Sequence, residues 1–92
     1  MENHTLIDAY FINNERTTVA ILWEDKDNPG KAAVEYAQAD ESDGIWMDLI
    51  QNHGIDIDWL HERTYKYIKE TQIEFENFAI ETAKQRGLDL RS

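Results

Sequence analysis

The chain opens on an alternation of apolar and polar positions. Within 5–12, Leu6, Asp8, Tyr10 and Ile12 fall on one side of an extended backbone and Ile7, Ala9 and Phe11 on the other. This period-two pattern, rich in aromatic and β-branched residues, predicts a strand. Asn13, Asn14, Glu15 and Arg16 interrupt it, and asparagine tolerates the left-handed backbone that tight hairpins use, so a hairpin is expected there. In 17–24, Val19, Ile21 and Trp23 alternate with Thr18, Ala20 and Leu22. Both sides carry apolar groups, which predicts a central strand with neighbours on both sides. Asp27, Asn28, Pro29 and Gly30 form the densest cluster of turn residues. After them Val34 and Tyr36 stand two apart within 32–37, as a third strand returning beside the second requires, although the alanines around them also allow a helix.

The period then changes. Ile45, Trp46, Leu49, Ile50 and His53 recur at helical spacing behind Asp40, with Glu41 and Asp43 ahead of them and Gly54 behind. That order of cap, first-turn acids and left-handed terminator predicts a short helix over 41–53. From 56 to 87 neither Gly nor Pro occurs before Gly87, and one long helix is expected. Asp56 is its predicted cap, with Ile55 and Leu60 at the positions of a hydrophobic staple. At its other end Lys84 and Arg86 suit the negative pole, Gly87 terminates, and Leu88 is expected to fold back on Ala83. Leu60, Thr64, Tyr67, Ile68, Thr71, Phe75, Phe78 and Ala79 form its core-facing stripe.

The architecture expected is therefore α+β in a single domain, 1–92: an N-terminal antiparallel β-meander of two or three strands (1–39), a short helix (40–54), one long C-terminal helix (56–87) packed on the sheet, and a tail (88–92). A rod of some thirty residues at ~1.5 Å each measures roughly 45 Å, whereas a compact body of this length is only about 32 Å across. Trp59, Ile73 and Ile80 lie off the stripe and would stay exposed in a monomer. The expectation that follows is self-association through those three residues.

Charge narrows the function. The net charge is −10, and from Ala32 to Glu62 there is no Lys or Arg. Glu35, Asp40, Glu41, Asp43 and Asp48 define an acidic face in that interval. Such a field repels phosphates and anionic lipid, so direct contact with nucleic acid or a membrane is not expected. A basic protein is the partner it would attract. The same charge could also imitate nucleic acid and occupy the groove of a DNA- or RNA-binding protein. With no cysteine, no disulfide, thiolate metal site or thiol nucleophile is available. The start of the chain lacks the basic and apolar segments of a secretory signal, so a cytoplasmic location is expected.

Candidate chemistry is sparse. Asp58, His61 and Glu62 share one helix face at i, i+3 and i+4, and imidazole with carboxylates can bind a divalent metal, which gives a divalent-metal-dependent enzyme as a third reading of the function. The plainer reading is that first-turn acids serve the helix dipole. Asp25, Asp27 and Gly30, with Glu35 downstream, resemble the start of a calcium loop, but Pro29 stands where an oxygen ligand belongs and Glu35 comes one residue early. The four glycines are isolated, so no phosphate-cradling loop is present. No cofactor is implied, and the expected function is a small non-enzymatic protein–protein interaction or assembly module.

Overall fold

Val19, Ala20, Ile21, Leu22 and Trp23 are each 0% exposed. Successive strand residues point to opposite faces, so five buried in a row require cover on both faces of a sheet. The structure, a computed structural model, describes residues 4–67 and 71–91. It meets that requirement with an α+β arrangement of four strands and three helices among the described residues. Strands β1 (His4–Phe11), β2 (Thr18–Asp25) and β3 (Lys31–Gln38) form an antiparallel meander with β2 in the middle. Helices α1 (Gly44–Asn52), α2 (Ile57–Tyr67) and α3 (Gln72–Gln85) follow, and β4 (Asp89–Arg91) completes the order β1-β2-β3-β4. Among the described residues no helix is long and apolar enough to cross a membrane.

The helices divide between the two faces. On the first, Trp46 and Leu49 of α1 and Leu60 of α2 pack with Ala9, Phe11, Val19, Ile21, Trp23 and Ala37. On the second, Phe75, Ala79 and Ala83 of α3 pack with Tyr10, Ala20, Leu22 and Ala32. Tyr10 meets Phe75 and Phe78 edge to face, with ring centroids 5.7 and 5.1 Å apart. Each buried Leu- or Phe-sized side chain contributes roughly 1.5–3 kcal/mol, so both layers are needed in a domain this small.

This division overturns the single helix expected over 56–87. Between α2 and α3, Thr71 is extended (φ −127°, ψ 157°) and its hydroxyl oxygen accepts from the Glu74 N–H at 3.1 Å. Thr71 and Glu74 carry the T-x-x-E spacing of a helix start. A straight rod covers only one face, whereas Leu60 and Phe75 sit on opposite faces. Ile68 of the expected stripe, and the side chain of Tyr67, lie outside the described residues. The molecule measures 33 × 26 × 19 Å, and helices of 11 and 14 residues fit within it, so the mismatch between rod and body disappears.

β1 also departs from unbroken alternation. Its register steps from Leu6↔Trp23 to Asp8↔Leu22, which leaves Ile7 in a bulge. Past the bulge the faces exchange: Ala9 and Phe11 join Leu6 on the first face, and Tyr10 and Ile12 join Ile7 on the second. The outer edge of β1 is met by α2 at Phe11. The Phe11 N–H donates to the Thr64 hydroxyl oxygen at 2.9 Å, and that hydroxyl donates to the Leu60 carbonyl at 2.7 Å. Asp8, 7% exposed, accepts from the Tyr10 hydroxyl at 2.7 Å and from Arg63 Nε at 3.2 Å, and is ion-paired with the same guanidinium through Nη2.

Smaller differences concern ends and turns. The left-handed residue of the first hairpin is Arg16 (φ 56°) rather than an asparagine, while Asn13 Oδ1 accepts from the N–H groups of Thr17 and Thr18. Asp43, not Asp40, caps α1, accepting from Ile45 and Trp46 at 2.9 and 3.1 Å. The segment 32–37 is strand, and the expected tail contains β4, which runs parallel to β3 and pairs with Lys31, Ala32 and Ala33. The fold-back at Gly87 (φ 72°) is as expected, with the Leu88 N–H donating to the Ala83 carbonyl at 2.8 Å.

Two substitutions on opposite faces test the layering. Leu60→Ala should cost about 2–5 kcal/mol and Phe75→Ala about 3–5 kcal/mol in urea denaturation. A cost near zero at either position would mean that its face is not covered.

Candidate functional site

The acidic residues converge where α1 overlies β3. Glu35 pairs with Ile21 across the sheet and therefore shares the first face with Ile21, Trp23 and α1. Asp43 binds three backbone N–H groups, from Ile45, Trp46 and, at 3.0 Å, Gln38. The Gln38 N–H contributes most to holding the Asp43 carboxyl below the ordinary aspartate value, with the Trp46 and Ile45 N–H groups adding to it. Asp40 and Glu41 are exposed in the turn before α1. Glu35, Asp43 and Asp48 are half-buried. Among the described residues, none of these five carboxylates is ion-paired with a lysine or arginine.

Beneath α1 lies a polar group that the sequence pattern does not reveal. Trp23 Nε1, His4 Nδ1, Glu35 Oε2, Asp48 Oδ2 and His53 Nε2 are buried atoms without a hydrogen-bond partner among the described residues. They belong to one neighbourhood. The Trp23 ring lies 4.8 Å from that of His53 and 6.2 Å from that of His4, and His53 Nε2 is 3.4 Å from Asp48 Oδ2. Burial pushes the Glu35 carboxyl above the ordinary glutamate value, and the Asp48 charge adds to the effect while His4 opposes it. The available signal was Glu35 itself, a carboxylate facing Ile21 between Ala33 and Ala37. Recognising it requires the β2–β3 register.

The expected metal residues do not converge. Asp58 is exposed in the first turn of α2, where its N–H donates to Asp56 Oδ1 at 3.1 Å, and Glu62 is exposed as well. His61 turns toward the sheet, with its ring 5.1 Å from that of Phe11 and Arg16 donating to its Nδ1 and carbonyl. Among the described residues no group of three His, Asp or Glu side chains is placed to hold a metal ion. The calcium-like turn is closed by Asp25 itself, which accepts from the Asp27 N–H and from Asn28 Nδ2, each at 2.9 Å.

The three expected interface residues separate. Trp59 is half-buried against the first core, with the Arg63 guanidinium 5.7 Å from its ring centroid. Ile73 and Ile80 remain exposed, at 70% and 48%, one above the other on α3. Glu76 lies on the same side of that helix and accepts from the Tyr36 hydroxyl of β3 at 3.0 Å. Burial, and then this carboxylate, push the Tyr36 hydroxyl up to about 12. Thus the side of α3 that carries the two isoleucines adjoins β3. No family model matches this chain, and no curated protein or solved structure matches it either.

Two carboxylates in this region should affect stability with opposite signs. A depressed folded-state value, as for Asp43, gives stability that is present above the ordinary aspartate value and lost as pH falls through the folded one. A raised value, as for Glu35, gives a cost that develops as pH rises from the ordinary glutamate range through the raised one. Urea denaturation between acid and neutral pH should therefore find Glu35→Gln more stable than wild type at neutral pH, with the difference vanishing in acid. Asp43→Asn should be less stable at neutral pH. The same sign for both would contradict the assignment.

Proposed function

We propose that this chain is a non-enzymatic protein-interaction module that presents the α1–β3 side to a basic protein partner. The observation that carries the reading is the cluster of Glu35, Asp40, Glu41, Asp43 and Asp48 on one side of the fold. Among the described residues no lysine or arginine neutralises it. A concentrated negative field speeds encounter with a positive surface and selects against acidic ones. A nucleic-acid mimic is a narrower form of this reading. It calls for a row of solvent-exposed carboxylates, and the half-burial of Glu35, Asp43 and Asp48 favours a compact docking site instead.

Calorimetric titration with a lysine-rich peptide tests the reading, with a glutamate-rich peptide of the same length as control. Only the basic peptide should bind, and its affinity should fall steeply as salt shortens the Debye length from about 10 Å at 0.1 M to about 3 Å at 1 M. Changing Asp40, Glu41, Asp43 and Asp48 together to their amides should weaken it by roughly tenfold or more. Salt-independent binding, or an unchanged affinity in the amide variant, would overturn it.

Self-association is a second reading. It no longer rests on an overlong rod but on Ile73 and Ile80, two exposed large apolar residues on one side of α3. Sedimentation should then show a species larger than the monomer that Ile73→Glu dissociates. A monomer unaffected by that change would remove this reading.

A further inference from the structure

The sheet has two edges, and they are treated differently. On β1 the outward N–H groups of Phe11 and Ala9 are taken by Thr64 and by the Asp8 carboxylate. On β3 protection is incomplete. The Ala39 N–H donates to the Thr17 carbonyl, so in the antiparallel ladder the odd-numbered residues of β3 bond to β2 and the even-numbered ones turn outward. β4 pairs only as far as Ala33. Gln38 at the far end is met by Asp43 Oδ2. That leaves the carbonyl of Val34 and both main-chain groups of Tyr36 with no strand beside them among the described residues. An exposed main-chain edge of this kind is a template for another strand.

What flanks the edge selects the occupant. On the first face Glu35 sits on the edge strand itself and feels the Asp48 charge; its buried Oε2 has no hydrogen-bond partner among the described residues, and Asp48 Oδ2 faces His53 Nε2 at 3.4 Å. A strand added next to β3 would place a side chain on that face about 4.5–5.5 Å from Glu35, measured between Cβ atoms. On the second face the neighbours are Tyr36, the Glu76 carboxylate, and beyond it Ile73 and Ile80. A second copy of this chain would bring carboxylates against carboxylates there. A segment with basic residues on one side and apolar residues on the other satisfies both faces.

We infer that the partner engages this protein as an extended strand added to β3 at Val34–Tyr36, with a lysine or arginine seated on Glu35 and Asp48 and an apolar residue directed toward Ile73 and Ile80 of α3. This rests on the acidic-module reading and specifies its partner. A charge-assisted contact of a basic residue with two half-buried carboxylates is among the stronger polar contacts available. The main-chain bonds to Tyr36 set register, and the alternation of side chains sets specificity.

The probe is a synthetic peptide of alternating lysine and valine, with both ends blocked. Three measurements are read together: its affinity, the affinity of the same peptide N-methylated on alternate residues, and the exchange rate of the Tyr36 amide with and without peptide. The expected result is binding, roughly tenfold or greater weakening on N-methylation, and roughly tenfold or greater slowing of Tyr36 exchange. Glu35→Gln should weaken the lysine peptide severalfold and leave a glutamine–valine peptide unchanged, and its own folding is checked by denaturation. If both lysine peptides bind equally and Tyr36 exchange is unaltered, the added strand is wrong while the acidic module stands. If no basic peptide binds, both fall. If Tyr36 becomes protected with protein concentration alone, the occupant is a second copy and the basic strand is overturned.

Discussion

The burial of β2 on both faces is the constraint from which the rest of the fold follows. Val19, Ile21 and Trp23 need one apolar layer and Ala20 and Leu22 another, yet the C-terminal part of the chain is a single covalent run. It covers the first face with α1 and α2, crosses to the second between α2 and α3, and covers that face with α3. The helix break at Thr71 is therefore a consequence of sheet burial. Its cap is worth about 1 kcal/mol, small beside the several kcal/mol gained by burying Phe75, Ala79 and Ala83.

The crossing also determines which sheet edge is closed. Where α2 passes β1, Thr64 takes the Phe11 N–H, and Arg63 reaches Asp8 while lying 5.4 Å from the Tyr10 ring centroid. Removing one partner of such a partly buried pair leaves an uncompensated charge, which costs far more than the pair itself contributes. Past the Ile7 bulge, Asp8 and Tyr10 share one face of β1, where they meet each other and Arg63. At β3 a three-residue β4 covers one end and Asp43 takes the Gln38 N–H at the other, which leaves Tyr36 between them with no strand beside it among the described residues.

Much of this was legible in the sequence wherever a pattern had one physical meaning. Alternation in 17–24 placed the central strand, Asp27 to Gly30 its turn, and Gly87 with Leu88 the last helix end. Failures occurred where two signals competed. The lack of Gly and Pro in 56–87 argued for one helix, while Thr71 and Glu74 marked a new start, and only the need to cover both faces decides between them. Asp40 was the expected cap of α1 with Asp43 in the first turn, yet Asp43 is the cap, and the Gln38 N–H that also binds it comes from tertiary structure. Period two in Leu88 and Leu90 was too short to distinguish a strand from a tail. At the site, composition and charge named the acidic residues of 32–62. The gathering of Glu35, Asp48, His53, His4 and Trp23 in one neighbourhood depends on strand register and the seating of α1, which no local pattern encodes.

Among the described residues, the Phe11 and Ala9 N–H groups on the outer side of β1 are held, whereas Tyr36 of β3 has no strand beside it and lies near the acidic side. Amide hydrogen exchange of the free protein tests that asymmetry directly. Phe11, held by Thr64, and Ala37, bonded to β2, should exchange slowly, whereas the half-buried Tyr36, whose N–H turns outward, should exchange at the rate of an exposed turn amide. A Tyr36 amide as protected as those of Phe11 and Ala37 would contradict the open edge.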